Sequence, residues 1–84
     1  MYELFFTFHS LTRAQIAAQT LRYQGISAYL IHAPEVLSSL GCGYAVRING
    51  ADGYSASAHL RNDHIIYEKA FRKFPGSAPE EVFV

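Results

Sequence analysis

The sequence predicts a small α+β domain of the ferredoxin-like type, with a βαββαβ order and a four-stranded antiparallel sheet. Residues 2–8 and 44–48 alternate between apolar and other side chains, with the period of two that is typical of β-strands. Between them lies a segment whose apolar residues recur with the period of a helix. The 84 residues leave room for one domain, which we expect at 1–74, with a C-terminal tail at 75–84. In this fold the strands lie in the order 4-1-3-2, and both helices cover one face of the sheet.

The first strand and the first helix have the clearest patterns. One face of the strand carries four apolar residues: Tyr2, Leu4, Phe6 and Phe8. One stripe of the helix carries four more: Ala14, Ala17, Ala18 and Leu21. Ser10 or Thr12 can cap the start of the helix, and Thr12 with Gln15 fits a capping box. Gly25 is expected to end the helix, because glycine readily adopts the left-handed conformation found after many helices.

The next two strands are marked by short apolar segments with turn residues after them. Residues 26–31 predict the second strand, which ends before Pro34. Residues 44–48 predict the third strand, and the Asn49-Gly50 pair after it favours a turn.

The last third of the chain allows two interpretations. In the first, residues 52–63 form a helix and 65–73 form a fourth strand. In the second, residues 54–60 form a strand and 63–74 form a helix. Periodicity alone does not decide between them. We prefer the first, because it repeats the strand-helix-strand unit that opens the chain.

Charge and cysteine content restrict the classes of function. Seven Lys and Arg residues balance seven Asp and Glu residues, which argues against nucleic-acid and membrane-surface partners, since both bind clustered positive charge. No apolar segment approaches the roughly 20 residues of a membrane span, and the N-terminus lacks the pattern of a secretory signal. A single cysteine cannot form an internal disulfide, which fits a reducing cytoplasm. We therefore expect a cytoplasmic protein without a cofactor.

That single cysteine, Cys42, is the first candidate for a functional residue. It lies between Gly41 and Gly43, directly before the third strand. In the predicted topology the end of strand one, the end of strand two and the starts of strands three and four all meet at one end of the sheet. Arg13, in the first turn of the first helix, belongs to the same end. Three histidines would join Cys42 there: His9, His32 and His64.

Positive groups at this end would make the thiol acidic. An unperturbed cysteine has a pKa of about 8.5, and a neighbouring Arg, protonated His or helix N-terminus lowers it. We therefore expect a depressed pKa for Cys42, whose thiolate would be the nucleophile. The N–H groups of Gly41 and Gly43 would be open to an anion.

Simpler interpretations apply to the same residues. A lone cysteine is often a small buried apolar residue, and glycines beside a strand often form a turn or bulge. Each histidine taken alone is more typical of the surface than of a ligand set. Arg47, on the polar face of the third strand, fits a solvated side chain. Ser38 and Ser39 have no obvious base beside them, which argues against a serine nucleophile.

The segment around Cys42 also resembles a known family. The matching residues are Pro34, Leu37, Ser38, Gly41, Cys42, Gly43, Ala45, Val46 and Arg47. They are similar to the selenium/sulfur carrier-like family of short bacterial and archaeal proteins, whose pattern is Pro-Arg-x-Ile/Leu-Ser, then Cys-Gly and a strand ending in Arg. Residues 60–65 are similar to that family's transition from helix to last strand. This chain has Glu35 where the family usually has Arg, so Arg13 or Arg47 would have to replace that charge.

Three functions follow as hypotheses. The resemblance implies a carrier, without turnover of its own, in which Cys42 holds a persulfide or perselenide between a donor protein and an acceptor protein. A second hypothesis is a zinc or copper module that uses Cys42 with His9, His32 or His64. A third is a domain that binds a metabolite or a protein through its sheet, in which Cys42 is incidental. A chain this short would also gain stability as a homodimer.

Overall fold

A computed structural model describes residues 1–33 and 43–84. The elements within these two ranges, in chain order, are β1 (Glu3–Phe8), α1 (Leu11–Tyr23), β2 (Ala28–His32), β3 (Tyr44–Asn49), a 3-10 turn (Gly50–Asp52), α2 (Gly53–Asn62), β4 (Ala70–Lys73) and β5 (Glu80–Val82), and the helices and strands counted below are these. Within these described ranges, no helix is long and apolar enough to cross a membrane.

The five strands form one sheet in the order β2-β3-β1-β4-β5, and all neighbours are antiparallel. The α+β class predicted from the sequence is therefore confirmed. The predicted number of four strands is wrong, because residues 75–84, expected to be a tail, contain β5. Two ion pairs accompany the pairing of β5 with β4, Lys69 with Glu81 at 3.3 Å and Arg72 with Glu80.

Both helices pack on one face of the sheet. The core there combines alternate residues of β1 with the apolar stripes of the helices: Leu4, Phe6, Phe8, Ala14, Ala17, Ala18, Leu21, Ala56 and Leu60. A smaller cluster lies on the opposite face, where Phe5 and Ala45 are buried beside Ile31 and Phe71. The period of two in β1 thus divides its side chains between two apolar layers.

The two helices end in the same way. After α1, Gly25 donates its N–H to Arg22 and Ile26 donates to Leu21, both at 3.0 Å. After α2, the residue in the position of Gly25 is His64, with a φ of 57° against 84° for the glycine. His64 donates to Arg61 at 3.1 Å, and Ile65 donates to Leu60 at 2.8 Å. This pair of bonds is the Schellman motif. It fixes Ile26 and Ile65 to the helices, and so shortens the strands that the sequence placed at 26–31 and 65–73.

The helix at Gly53–Asn62 confirms the first interpretation of the last third of the chain. The strand after it begins at Ala70, five residues later than predicted. Before Ala70, the buried hydroxyl of Thr7 donates to the carbonyl of Lys69 at 3.2 Å and accepts from the Lys69 N–H at 3.1 Å. The hydroxyl thus takes the Lys69 N–H, and the carbonyl of Thr7 accepts instead from the N–H of Glu68 at 2.8 Å, so the regular pairing of β4 ends at Ala70.

The start of α1 distinguishes between the two predicted caps. The Ser10 side chain accepts from the N–H of Arg13 at 3.4 Å, whereas Thr12 lies inside the helix. Ser10 is therefore the cap.

Candidate functional site

The segment that carries Cys42 is anchored at its two ends by one hydrogen bond. Cys42, Ser38 and Gly41 lie outside the described residues. Ala33, just before that segment, donates its N–H to the carbonyl of Gly43, just after it, at 3.0 Å. The bond extends the pairing of β2 with β3 by one position, so the residues directly before and after the segment with Cys42 are neighbours at one end of the sheet.

The end of the sheet beside Gly43 carries two of the predicted histidines. Tyr44, the first residue of β3, pairs with Phe8 on one side and His32 on the other. The rings of His32 and Tyr44 lie 5.5 Å apart, centroid to centroid. His9 follows directly after Phe8. The structure therefore places His9, His32 and Gly43 at the same end of the sheet, although β3 separates the strands of the two histidines.

His9 faces a carboxylate. Its Nε2 lies 3.6 Å from Oε2 of Glu68, and both side chains are about half exposed. A positive charge on His9 would be partly balanced by Glu68, which weakens its effect on any thiol nearby. Glu68 was not predicted at this end of the sheet, because a fourth strand beginning at residue 65 would place residue 68 inside it.

Arg13 and His64 meet on the helical side of the molecule. They line one shallow depression, of about 300 Å³, at the start of α1. The Arg13 guanidinium makes no hydrogen bond or ion pair within the described residues. Its backbone N–H is already bonded to Ser10, so the first turn of α1 has one donor fewer to offer an anion.

Arg47 lies away from this end of the sheet. It is three residues beyond Tyr44 along β3, a distance of roughly 10 Å. Its Nε lies 3.4 Å from the carboxylate of Glu3, and its guanidinium lies 5.1 Å from the centre of the Tyr29 ring. These contacts link side chains of three neighbouring strands on the face opposite the helices. The structure does not bring Arg47 to His32 or Gly43.

The metal hypothesis receives no support from the part of the chain that the structure describes. Among residues 1–33 and 43–84, no group of three or more His, Cys, Asp or Glu side chains is arranged to hold a metal ion. Cys42, the thiolate ligand of that hypothesis, falls outside these ranges.

Comparison with family models identifies the chain. Residues 3–72 match the family described as Putative Se/S carrier protein-like, a match that includes Cys42 and most of the sheet. The chain belongs to this Se/S carrier-like family. Comparison with curated proteins gave no match, and neither did comparison with solved structures. The family resemblance inferred from the sequence is thus confirmed.

Proposed function

We propose that this member of the Se/S carrier-like family carries one sulfur or selenium atom on Cys42. The observation that carries the proposal is the family match over residues 3–72, which contains the only thiol of the chain. The hydrogen bond between Ala33 and Gly43 supports it, because it fixes the two points from which the segment with Cys42 extends.

The transfer needs only a thiolate and a donor that already holds the extra atom. The Cys42 thiolate attacks the outer sulfur of a donor persulfide, R–S–SH, and the bond between the two donor sulfurs breaks. Cys42 becomes Cys–S–SH, and the donor leaves as R–S⁻. An acceptor nucleophile then takes the outer sulfur and returns Cys42 to the thiolate. A perselenide follows the same path with selenium as the outer atom, and neither step needs an external oxidant.

The residues at the end of the sheet have supporting roles in this proposal. His32 and Arg13 would favour the thiolate over the thiol, because positive groups and N–H donors stabilise a nearby anion. His9 would contribute less, since Glu68 lies 3.6 Å from it. The N–H groups of Gly41 and Gly43 would be available to the outer atom of the persulfide.

The carrier would work with two kinds of protein partner, a donor and an acceptor, and in a reducing compartment such as the cytoplasm. A free thiol persists there, whereas it is oxidised in secretory compartments. We also regard the fold as a ferredoxin-like unit to which β5 adds a fifth strand, since β4, β1, β3 and β2 are consecutive in the sheet.

Persulfide loading tests the proposal. The purified protein is incubated with a cysteine desulfurase and cysteine, and its intact mass is measured before and after treatment with a reductant. We expect the mass of one sulfur atom to be added, and to be lost on reduction. The control is Cys42→Ser, which should gain nothing. An unchanged mass in the parent protein, under conditions that load a known persulfide acceptor, would contradict the proposal.

A further inference from the structure

Two shallow depressions lie on either side of residues 64–66, between the start of α1 and the end of α2. Their volumes are about 460 and 300 Å³, and both are lined by His64, Ile65 and Ile66. We call the two together the His64 groove. Each is of the size that small organic ligands occupy in proteins.

Much of the groove is apolar and exposed. The Ile66 side chain is 73% exposed and that of Ile16, on α1, is 47% exposed. Both line the groove, so they form one apolar surface rather than scattered exposed residues. Tyr67 gives the groove a fixed wall, because its ring lies 4.7 Å from the ring of Phe6 and its hydroxyl donates to Val84 at 3.1 Å.

The charged side chains among the described residues that line the groove are cationic. Arg13 lies at the α1 end and Arg61 lies on α2. Arg61 is held in place by a 3.0 Å hydrogen bond from its Nη2 to the buried hydroxyl of Ser57. No Asp or Glu is among the described residues that line the groove. Within residues 1–33 and 43–84, neither Arg13 nor Arg61 forms an ion pair with a carboxylate.

His64 adds a polar group between the two depressions. Its backbone is left-handed, at a φ of 57°, in the position that glycine occupies at the end of α1. A non-glycine residue in this conformation is strained, and such strain is common where a side chain serves a ligand. His64 lines both depressions, and its imidazole carries an N–H that can donate to an anion.

We propose that the His64 groove binds a small organic anion with an apolar body, whose carboxylate or similar head group is held by Arg13, Arg61 and His64. The apolar body would lie on Ile16 and Ile66. Charge complementarity selects this occupant, because the exposed apolar surface is bordered by two guanidinium groups and by no described carboxylate. The groove needs no reaction at Cys42, although the carrier proposal also uses the positive charge of Arg13.

NMR titration of the isotopically labelled protein tests the site, with octanoate as the probe. We expect saturable shifts of amide signals confined to residues 12–16 and 57–67. Octylamine has the same chain with a positive head group, and it should bind at least tenfold more weakly. Equal binding of both probes, shifts that do not saturate, or shifts spread over the whole surface would overturn the proposal.

Variants separate the roles of the lining residues. Arg13→Gln and Arg61→Gln should each weaken octanoate binding about fivefold. Lys73→Gln, on β4, removes the same charge and should leave the affinity unchanged. His64→Gly should weaken binding and raise the midpoint of thermal unfolding, a combination that a general loss of folding cannot produce. Arginine variants that bind octanoate as the parent does would overturn the proposal.

The test is separate from that of the carrier function. Cys42→Ser should bind octanoate with the affinity of the parent protein, whether or not Cys42 accepts sulfur. Loss of octanoate binding in Cys42→Ser would contradict the independence of the groove from the carrier site.

Discussion

His64 and Gly25 occupy the same position of the same helix-ending motif. Each follows the last turn of its helix with a positive φ, 57° for His64 and 84° for Gly25. Each is followed by an isoleucine whose N–H reaches back to a leucine of the helix. Glycine is the usual residue in this position, because it has no Cβ to clash with the following carbonyl. The second motif thus carries a conformational strain that the first avoids.

The first prediction is that His64→Gly stabilises the fold by about 0.5 kcal/mol. Relief of the left-handed conformation contributes about 1–2 kcal/mol. The greater freedom of glycine in the unfolded chain offsets about 0.5–1 kcal/mol of that gain. Urea unfolding followed by circular dichroism measures the net effect.

Gly25→Ala is the matched comparison for that change. A Cβ at Gly25 would have no heavy atom within 4 Å, so the substitution introduces backbone strain without a clash. We expect a loss of about 1 kcal/mol in the free energy of unfolding. A destabilised His64→Gly, or a neutral Gly25→Ala, would show that the two positions are not equivalent.

The second prediction concerns the Thr7 hydroxyl. Thr7 is buried, and its hydroxyl accepts from the Lys69 N–H. Thr7→Val keeps the shape of the side chain but leaves that N–H without its partner, and an unmade buried hydrogen bond costs about 1–3 kcal/mol. We expect a loss of that size in the free energy of unfolding.

Thr7→Ser is the control for the hydroxyl. It keeps the hydrogen bond and removes one buried methyl group, a change of about 0.8 kcal/mol. Amide exchange gives the clearest difference, because the Lys69 N–H should stay protected in Thr7→Ser and exchange faster in Thr7→Val. Equal protection in the two variants would be inconsistent with this role of the hydroxyl.

The sequence predicted the elements whose own side chains determine their structure. β1 and α1 carry complete apolar patterns, and the residues predicted to face inward, such as Leu4 and Leu21, are buried. β5 has no such pattern. Two of its three residues, Glu80 and Glu81, are exposed, and the segment is a strand only because β4 offers it a free edge. This pairing depends on the tertiary structure, so the periodicity of residues 80–82 does not predict it.

The same distinction applies to the candidate site. His9 directly follows β1, and His32 is the last residue of β2. The fold class determines which strand ends meet at one end of the sheet, so the common location of these two histidines could be predicted. Arg47 could be located only by its position along β3, which takes it toward Glu3 instead. The sequence predicts a strand from Ile65 onward, because that order repeats the strand-helix-strand unit that opens the chain. In the structure, Ile65 packs against the core and Ile66 is exposed in the groove.

The third prediction is that the segment from β5 to the C-terminus contributes to stability through Val82 and Val84. Val82 and Val84 are partly buried against the core, and the carbonyl of Val84 accepts from Tyr67. Ending the chain at Pro79 should therefore lower the free energy of unfolding by about 2 kcal/mol, mainly from lost apolar burial.

The double variant Glu80→Gln, Glu81→Gln tests the alternative that the surface ion pairs hold β5. Exposed ion pairs contribute at most about 1 kcal/mol each and often nothing measurable. We expect the double variant to lose less than half as much stability as the shortened chain. Equal losses would assign the contribution to the ion pairs.

The last prediction concerns the acidity of the Cys42 thiol. If Arg13 and His32 favour the thiolate, the pKa of Cys42 lies below its ordinary value, and alkylation by iodoacetamide stays fast as the pH falls toward neutrality. Arg13→Gln removes a positive charge and so destabilises the thiolate. The pKa should then rise, and alkylation at neutral pH should slow. Lys73→Gln makes the same change in net charge on β4, where solvent and salt screen the charge, and should leave the rate unchanged. An ordinary pKa in the parent protein, unaffected by Arg13→Gln, would show that these cations do not act on Cys42.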